Sequence, residues 1–165
     1  MKKLIILFIF IPNILFAGSM KSIGVKGQEK NIDRIIKVSM YDNYYQPNKF
    51  NIKKNETIKF VIENKGQLVH EFNIATKEMH LKHQPEMMMM VEHEILLADK
   101  IDKKKMKEMS KKNPAMAHSH SNSVIVSPGK KAELIWKFSN SVNIEVACNV
   151  PGHYDVGMIA KINNL

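Results

Sequence analysis

One short stretch of the chain, "ACNVPGHYDVGM" at residues 147–158, brings three possible metal ligands together. It contains the only cysteine, Cys148, followed by His153 and Met158 at C-x4-H-x4-M spacing. A thiolate, an imidazole and a thioether are donors that suit transition metals. A Pro-Gly pair directly before His153 is a turn signal, so the chain can reverse there and return His153 toward Cys148. The stretch therefore predicts part of a transition-metal site.

Side-chain alternation along predicted strands supplies a fourth donor. In "LVHEFNI", His70 shares one face with Phe72, and this apolar face should point to the core. In "VNIEVAC" the inward set continues from Val146 to Cys148, and in "VGMIAKI" Met158 lies on the apolar face. We therefore expect His70, Cys148 and Met158 to face the interior.

Two imidazoles, one thiolate and one thioether are the ligands of a blue-copper site, in which a methionine binds weakly along the axis of a His₂Cys plane. Taken singly, His70 could be a hydrogen-bonded core histidine, Met158 core filler, and Cys148 an inert buried thiol or a dimer disulfide. Zinc matches less well because thioether ligands suit copper. The combination and its order favour a type 1 site for Cu(I)/Cu(II), with ligands His70, Cys148, His153 and Met158.

The segments that must position these ligands have the patterns of short β-strands. About eight such runs, separated by Gly, Pro and Asn turns, lie on either side of residues 75–122. This arrangement indicates an all-β sandwich or barrel. The predicted strands are "RIIKVSM", "KFNIKK", "ETIKFVIEN", "LVHEFNI", "SVIVS", "AELIWKF", "VNIEVAC" and "VGMIAKI".

The start of the chain has the pattern of an export signal. Two lysines precede an apolar run at residues 4–16, and small residues follow at 17–19. This order predicts a secretory signal peptide at residues 1–19, with an uncleaved anchor as the alternative. The run of 13 residues is shorter than the roughly 20 that a membrane span needs. We expect residues 20–165 to form a single exported domain, in an oxidising space outside the cytoplasm where metal coordination would protect a lone thiol.

Residues 75–122 differ from the rest and are predicted to be an insertion with one or two short helices and a mobile tail. Residues 79–120 include eight methionines and five histidines. Thioethers capture Cu(I) and imidazoles extend the reach to Cu(II), so this segment is predicted to capture additional copper. The alternative is that the run "MMMM" is core or an adaptable hydrophobic contact surface.

The basic composition does not indicate a nucleic-acid partner. The formal net charge is +9, but Arg34 is the sole arginine among 25 basic residues. Contacts to bases and phosphates favour the planar fork of arginine. The lysines are spread along the chain and are typical of a solvated surface. We expect no nucleic-acid binding and no membrane span after signal cleavage.

The strand "VHEFNI" followed by "ACNVPGHYDVGM" resembles the cupredoxin (type 1 blue copper) family, and within it the periplasmic copper-tolerance cupredoxins of the CopI-like group. The resemblance covers roughly residues 34–74 and 123–165. It implies a Greek-key β-sandwich with copper near one end, bound by His70, Cys148, His153 and Met158. Many cupredoxins have asparagine directly after the first histidine, where it braces the ligand loops, whereas this chain has Glu71.

These observations favour a periplasmic copper-binding protein that supports copper tolerance, with copper ions as its ligand. A soluble one-electron carrier using the same site is the alternative. In either role we expect a monomer with a redox or copper-transfer protein as its partner. Catalysis is not expected, because a mature chain of this length cannot supply a second cupredoxin domain and a binuclear copper centre would need a second cysteine. The sequence also has no evident Ser-His-Asp or paired-carboxylate arrangement.

Overall fold

The computed structural model describes residues 23–139 and 142–163, and these residues form two five-stranded β-sheets packed face to face. The strands are β1 (Val25–Lys26), β2 (Arg34–Tyr41), β3 (Tyr44–Gln46), β4 (Lys49–Asn51), β5 (Thr57–Asn64), β6 (His70–Ala75), β7 (Ser123–Val126), β8 (Lys131–Lys137), β9 (Glu145–Ala147) and β10 (Ile159–Asn163). The helices are α1 (Lys77–Glu92) and α2 (Lys103–Ser110), with short 3-10 helices at Glu29–Asn31 and Pro114–Ala117. The predicted all-β sandwich with a partly helical insertion is confirmed. The signal peptide predicted at residues 1–19 lies outside the described residues.

The sheet topology brings distant parts of the chain side by side. The first sheet has the order β1-β8-β5-β2-β3, and the second has the order β4-β10-β9-β6-β7. In the second sheet β9 pairs antiparallel with both β6 and β10. Because Asn73 of β6 lies opposite Ala147 of β9, the beginning of β6 is next to the segment that follows β9.

Alternating apolar residues build the core between the sheets, here called the sandwich core. On β5, Ile58, Phe60 and Ile62 are buried, whereas the lysine, valine and glutamate that alternate with them are partly exposed. Phe72 of β6 contacts Phe60 across the sheets, with ring centroids 5.0 Å apart, and Trp136 of β8 is buried beside them. Burial of each such side chain stabilises the fold by about 1.5–3 kcal/mol. This core fixes the strand that begins with His70.

All eight predicted strands have counterparts in the structure. The two without a prediction, β1 and β3, have only two and three residues. Both lie at the edges of the first sheet. Strands this short have too few alternating positions of their own to give a periodic signal, and the equally short β4 was predictable only because it lies within the longer alternating run "KFNIKK".

The residues between β6 and β7, together with Val69 just before β6, form a second, smaller core, here called the insertion core. It contains Val69, Met87, Met90, Ile95, Leu96 and Met116. Met89, Met106 and Met109 pack against it. The end of the insertion, predicted to be mobile, is packed in the structure, because Met116 and Asn122 are both buried. Most methionines of the insertion therefore contribute to packing.

Both helices of the insertion begin at side chains that cap them. Thr76 accepts a hydrogen bond from the N–H of Met79 at the start of α1, and Asp102 accepts one from the N–H of Lys105 at the start of α2. Such caps satisfy backbone donors that have no partner within the helix. Within the described residues, neither helix has the length and apolar composition to cross a membrane.

Candidate metal centre

The segment from Cys148 to Met158, here called the cysteine loop, joins β9 to β10 and closes on itself. The N–H of Cys148 donates to the carbonyl of Met158 (3.2 Å), and the N–H of Met158 donates to the carbonyl of His153 (3.0 Å). Gly152 and Gly157 both have a φ of 87°, a left-handed conformation that glycine adopts at little cost. The chain reverses at these turns, as the Pro-Gly signal predicts, and returns His153 toward Cys148.

Three donor atoms converge at this end of the second sheet. The Sγ of Cys148 lies 3.4 Å from Nδ1 of His153 and 4.0 Å from Nδ1 of His70. All three atoms lie within 4.8 Å of one another. Cys148 and His70 are fully buried, whereas His153 is partly exposed. This group, here called the cysteine site, has the two nitrogens and one sulfur that a copper ion binds in a type 1 centre.

Met158, the fourth predicted ligand, is fully buried and belongs to the sandwich core. Backbone hydrogen bonds tie it to both Cys148 and His153. A thioether in this place suits a weak axial donor. The structure thus places all four predicted residues in one region, and their roles as ligands stay a prediction.

Asp42, in the turn between β2 and β3, orients the imidazole of His70. Its Oδ1 lies 2.9 Å from Nε2 of His70, so the other ring nitrogen is the one nearest Cys148. Burial acts to raise the pKa of Asp42, but hydrogen bonds from the N–H of Gln67, from His70 and from the N–H of Leu68 outweigh it and lower that pKa. A carboxylate on the outer nitrogen is a common support of metal-binding histidines.

Burial favours the uncharged forms of the side chains at the cysteine site. It lowers the pKa of His70, and Asp42 offsets this only in part. It also lowers the pKa of His153. Burial raises the pKa of Cys148 to about 12, although the N–H of Glu71 acts in the opposite direction. The imidazoles therefore offer lone pairs, and the thiol would release its proton on binding a cation.

Glu71 is a fully buried carboxylate that links β6 to the cysteine loop. Its backbone N–H donates to Sγ of Cys148 (3.3 Å). Its Oε2 accepts hydrogen bonds from the backbone N–H (3.1 Å) and the side-chain amide (2.7 Å) of Asn149. The hydroxyl of Tyr45 donates to the Glu71 carbonyl (2.6 Å). Glutamate therefore braces the two ligand segments at the position where many cupredoxins have asparagine.

The other carboxylate oxygen of Glu71 faces the insertion. Oε1 lies 3.1 Å from Nε2 of His83 on α1 and 2.9 Å from Nε2 of His118. It also accepts hydrogen bonds from Ser123 and Asn73. Burial would raise the pKa of Glu71, but the hydrogen bonds and charges of His118 and His83 lower it well below its usual range. Glu71 is thus ionised and shared between two histidines.

The five histidines of the insertion do not all lie together. Three of them form a group with Glu86: His83, His118 and His120. His80 is buried elsewhere, and His93 is exposed at the end of α1. The histidine density in the sequence predicts metal capture, but it does not say which members meet.

Sequence reasoning missed Asp42 and the bracing role of Glu71. Asp42 lies 28 positions before His70, and its only local signal is that an aspartate followed by asparagine is typical of a turn. Strand alternation puts Glu71 on the face opposite His70, which predicts that it points outward. It does point away from the sandwich core, but the insertion covers that face, since every residue of β6 is buried.

Comparison with known proteins finds a matching family and similar copper proteins. The family model of the cupredoxin-like domain matches residues 6–101, and this match ends before the cysteine loop. The copper-resistant cuproprotein CopI of Pseudomonas aeruginosa is 33% identical over 174 residues, covering 98% of this chain and 96% of the relative. The protein of the same name from Vibrio cholerae is 29% identical over 145 residues, covering 87% of this chain and 72% of the relative.

Solved structures share the fold at low sequence identity. Reduced auracyanin from Roseiflexus castenholzii has a TM-score of 0.55 at 14% identity, covering 80% of this chain and 96% of its own. Auracyanin B has a TM-score of 0.60 at 10% identity, covering 86% of this chain and 96% of its own. These likenesses extend over most of the described sandwich.

Proposed function

The chain belongs to the cupredoxin family, in its CopI-like group, and we propose that it is a periplasmic type 1 copper protein that supports copper tolerance. As a member of this family it binds copper. The observation that carries the proposal is the convergence of Cys148 Sγ with Nδ1 of His70 and His153, all within 4.8 Å. The names of the relatives from P. aeruginosa and V. cholerae, both copper-resistant cuproproteins, support the tolerance role.

The residues of the cysteine site fit copper by their chemistry. Cys148 would supply a thiolate, and His70 and His153 would each supply an imidazole nitrogen. Met158 is proposed as the weak axial ligand. Bound copper would supply one-electron exchange between Cu(I) and Cu(II). The chain's own contribution is to exclude water by burying Cys148 and His70 and to hold the His70 ring through Asp42.

We also propose that the insertion captures additional copper, through its histidines more than its methionines. Six methionines lie in or against the insertion core: Met87, Met89, Met90, Met106, Met109 and Met116. Their sulfur atoms are therefore engaged largely in apolar packing. His83 and His118, in contrast, direct ring nitrogens at the carboxylate of Glu71.

Electron carriage is the second candidate, and one observation favours it. His153 is partly exposed while His70 and Cys148 are fully buried, so an electron could leave through the His153 ring. A carrier is expected to exchange electrons rapidly with itself and to have a reduction potential matched to its partner. Slow self-exchange together with a tolerance phenotype would favour the copper-tolerance role.

Growth on copper tests the proposed function. A bacterium that lacks its own copper-tolerance cupredoxin is given the wild-type gene, Cys148→Ser, or Met88→Leu as a control at an exposed methionine. Wild type and Met88→Leu should restore growth at raised copper, and Cys148→Ser should not, because it removes the thiolate. Equal protection by Cys148→Ser at equal periplasmic abundance would contradict the proposal.

A further inference from the structure

A second set of metal-type donors lies on the insertion side of β6. It consists of His83, Glu86, His118 and His120, each offering an atom within 4.8 Å of the others, and is here called the histidine group. Its three imidazole rings form a nearly equilateral triangle, with centroids 5.0–5.1 Å apart. The side chain of His118 is 4% exposed and that of His120 is 37% exposed. The group is therefore buried on one side and reachable from solvent on the other.

Protons alone leave the hydrogen bonding of this group unmatched. Nε2 of His83, Nε2 of His118 and Oε1 of Glu71 lie 2.9–3.1 Å from one another. If both imidazoles donate to the carboxylate, their two N–H groups lie side by side and no hydrogen bond joins the two nitrogens. If one does not donate, its lone pair faces an anionic oxygen. The two nitrogens and the oxygen thus lie close enough to share one cation, which both nitrogens could bind through their lone pairs with the carboxylate beside it.

Glu86 supplies a second carboxylate, which contacts ring nitrogens other than those that contact Glu71. Its Oε1 lies 2.8 Å from Nε2 of His120, and its Oε2 lies 3.4 Å from Nδ1 of His83. His83 and Glu86 are three residues apart on α1, a spacing that puts both on one helix face. Carboxylates next to imidazoles are usual in metal sites, where they bind the ion or hold the outer ring nitrogen.

The backbone around His118 is held in an unusual conformation. His118 has a φ of 44°, in the left-handed region that non-glycine residues adopt at a cost and that clusters at functional sites. Its N–H donates to the carbonyl of Ala115 (3.1 Å). Asn113 caps the preceding 3-10 helix, and Met116 within that helix is buried in the insertion core. These contacts fix His118 opposite α1.

We propose that the histidine group binds one divalent transition-metal cation, separate from the copper of the cysteine site, with Glu71 within reach as a further oxygen donor. Imidazole and carboxylate donors suit Cu(II) and Zn(II), whereas Cu(I) prefers sulfur. This site would be the place where the insertion captures additional copper. That copper is the metal bound in the cell rests on the proposed function.

Metal binding to the purified exported protein tests the site, with Cu(II) and Zn(II) as probes. Wild type should bind two equivalents of Cu(II). The paramagnetic resonance spectrum should show one species with the narrow copper splitting of a type 1 site and one with the wide splitting of nitrogen and oxygen ligands. The double variant His83→Gln/His118→Gln should lose the wide-splitting species and keep the other. His93→Gln, at the exposed histidine that ends α1, is the matched control and should keep both.

A second variant covers the case in which the double variant does not fold. His120 is more than a third exposed, so His120→Ala should fold normally. It should weaken Zn(II) binding by about tenfold or more, since even outer contacts of metal sites are worth about 10–100-fold in affinity. Absence of the wide-splitting species from wild type, or unchanged Zn(II) affinity in His120→Ala, would overturn the inference. Loss of only the type 1 species from wild type would instead count against the proposed function and leave this site standing.

Discussion

The cysteine site and the histidine group lie on opposite faces of one strand and are built in different ways. His70 and Glu71 are consecutive residues of β6, so their side chains point in opposite directions. On one face His70 meets a sulfur donor, Cys148. On the other face Glu71 meets only imidazoles and hydroxyl or amide groups. One strand therefore separates a soft donor set from a harder one.

The two sites also differ in what holds them. The cysteine site is fixed by strand register and by the aromatic residues of the sandwich core, including Phe60 and Phe72. The histidine group depends on the packing of α1 against the 3-10 helix that contains Met116. Glu71 contacts both, through its backbone N–H on Cys148 and its carboxylate on His83 and His118. The proposed copper centre therefore lies in the sandwich, and the proposed second metal site lies on the insertion.

The largest expected effect on stability comes from truncating a buried side chain of the insertion core. Met87 is fully buried there, so Met87→Ala should lower the free energy of unfolding by about 2–5 kcal/mol. It should also weaken metal binding at the histidine group. The visible spectrum of copper at the cysteine site should not change, because the sandwich core is separate from the insertion core. Denaturant unfolding and metal titration measure these two effects.

Met88 provides the control for this substitution. Its side chain is 45% exposed, so Met88→Ala should change stability by no more than about 0.5 kcal/mol. If Met87→Ala and Met88→Ala lowered the free energy of unfolding equally, the burial of Met87 and the exposure of Met88 described here would be wrong.

A smaller effect is expected at the proposed axial ligand. Met158→Leu should keep the intense visible absorption, because Cys148 and both histidines remain, and should raise the reduction potential, because an axial donor is lost. Electrochemistry of the copper-loaded protein measures the shift. Met90→Leu, at a buried methionine of the insertion core, is the matched control, and an equal shift in both variants would argue against Met158 as a ligand.

Most of the sandwich could be predicted from the sequence, because strand alternation has a fixed period. His70, Phe72 and Ile74 repeat at every second position, and Phe72 and Ile74 lie in the sandwich core as that alternation predicts. The C-x4-H-x4-M spacing with its Pro-Gly turn likewise predicts that His153 returns to Cys148, which the structure shows at 3.4 Å. Local periodicity and turn chemistry are sufficient for these features.

The remaining features depend on contacts between distant segments. The pairing of Asp42 with His70 follows from how β2 and β6 lie in two different sheets, which no local pattern encodes. The insertion methionines could be either copper donors or core residues on sequence grounds, and the structure places most of them in packing. Which histidines meet depends in the same way on how α1 packs against residues that follow α2.

The visible absorption spectrum of the copper-loaded protein is the most direct test of the type 1 centre. Transfer of charge from a cysteine sulfur to Cu(II) gives an intense band, and wild type should show it whereas Cys148→Ser should lose it and stay folded. In the proposed centre, Cys148, His70 and His153 share one ion between β6 and the cysteine loop. A copper-loaded wild-type protein without that band, or a band that survives Cys148→Ser, would contradict it.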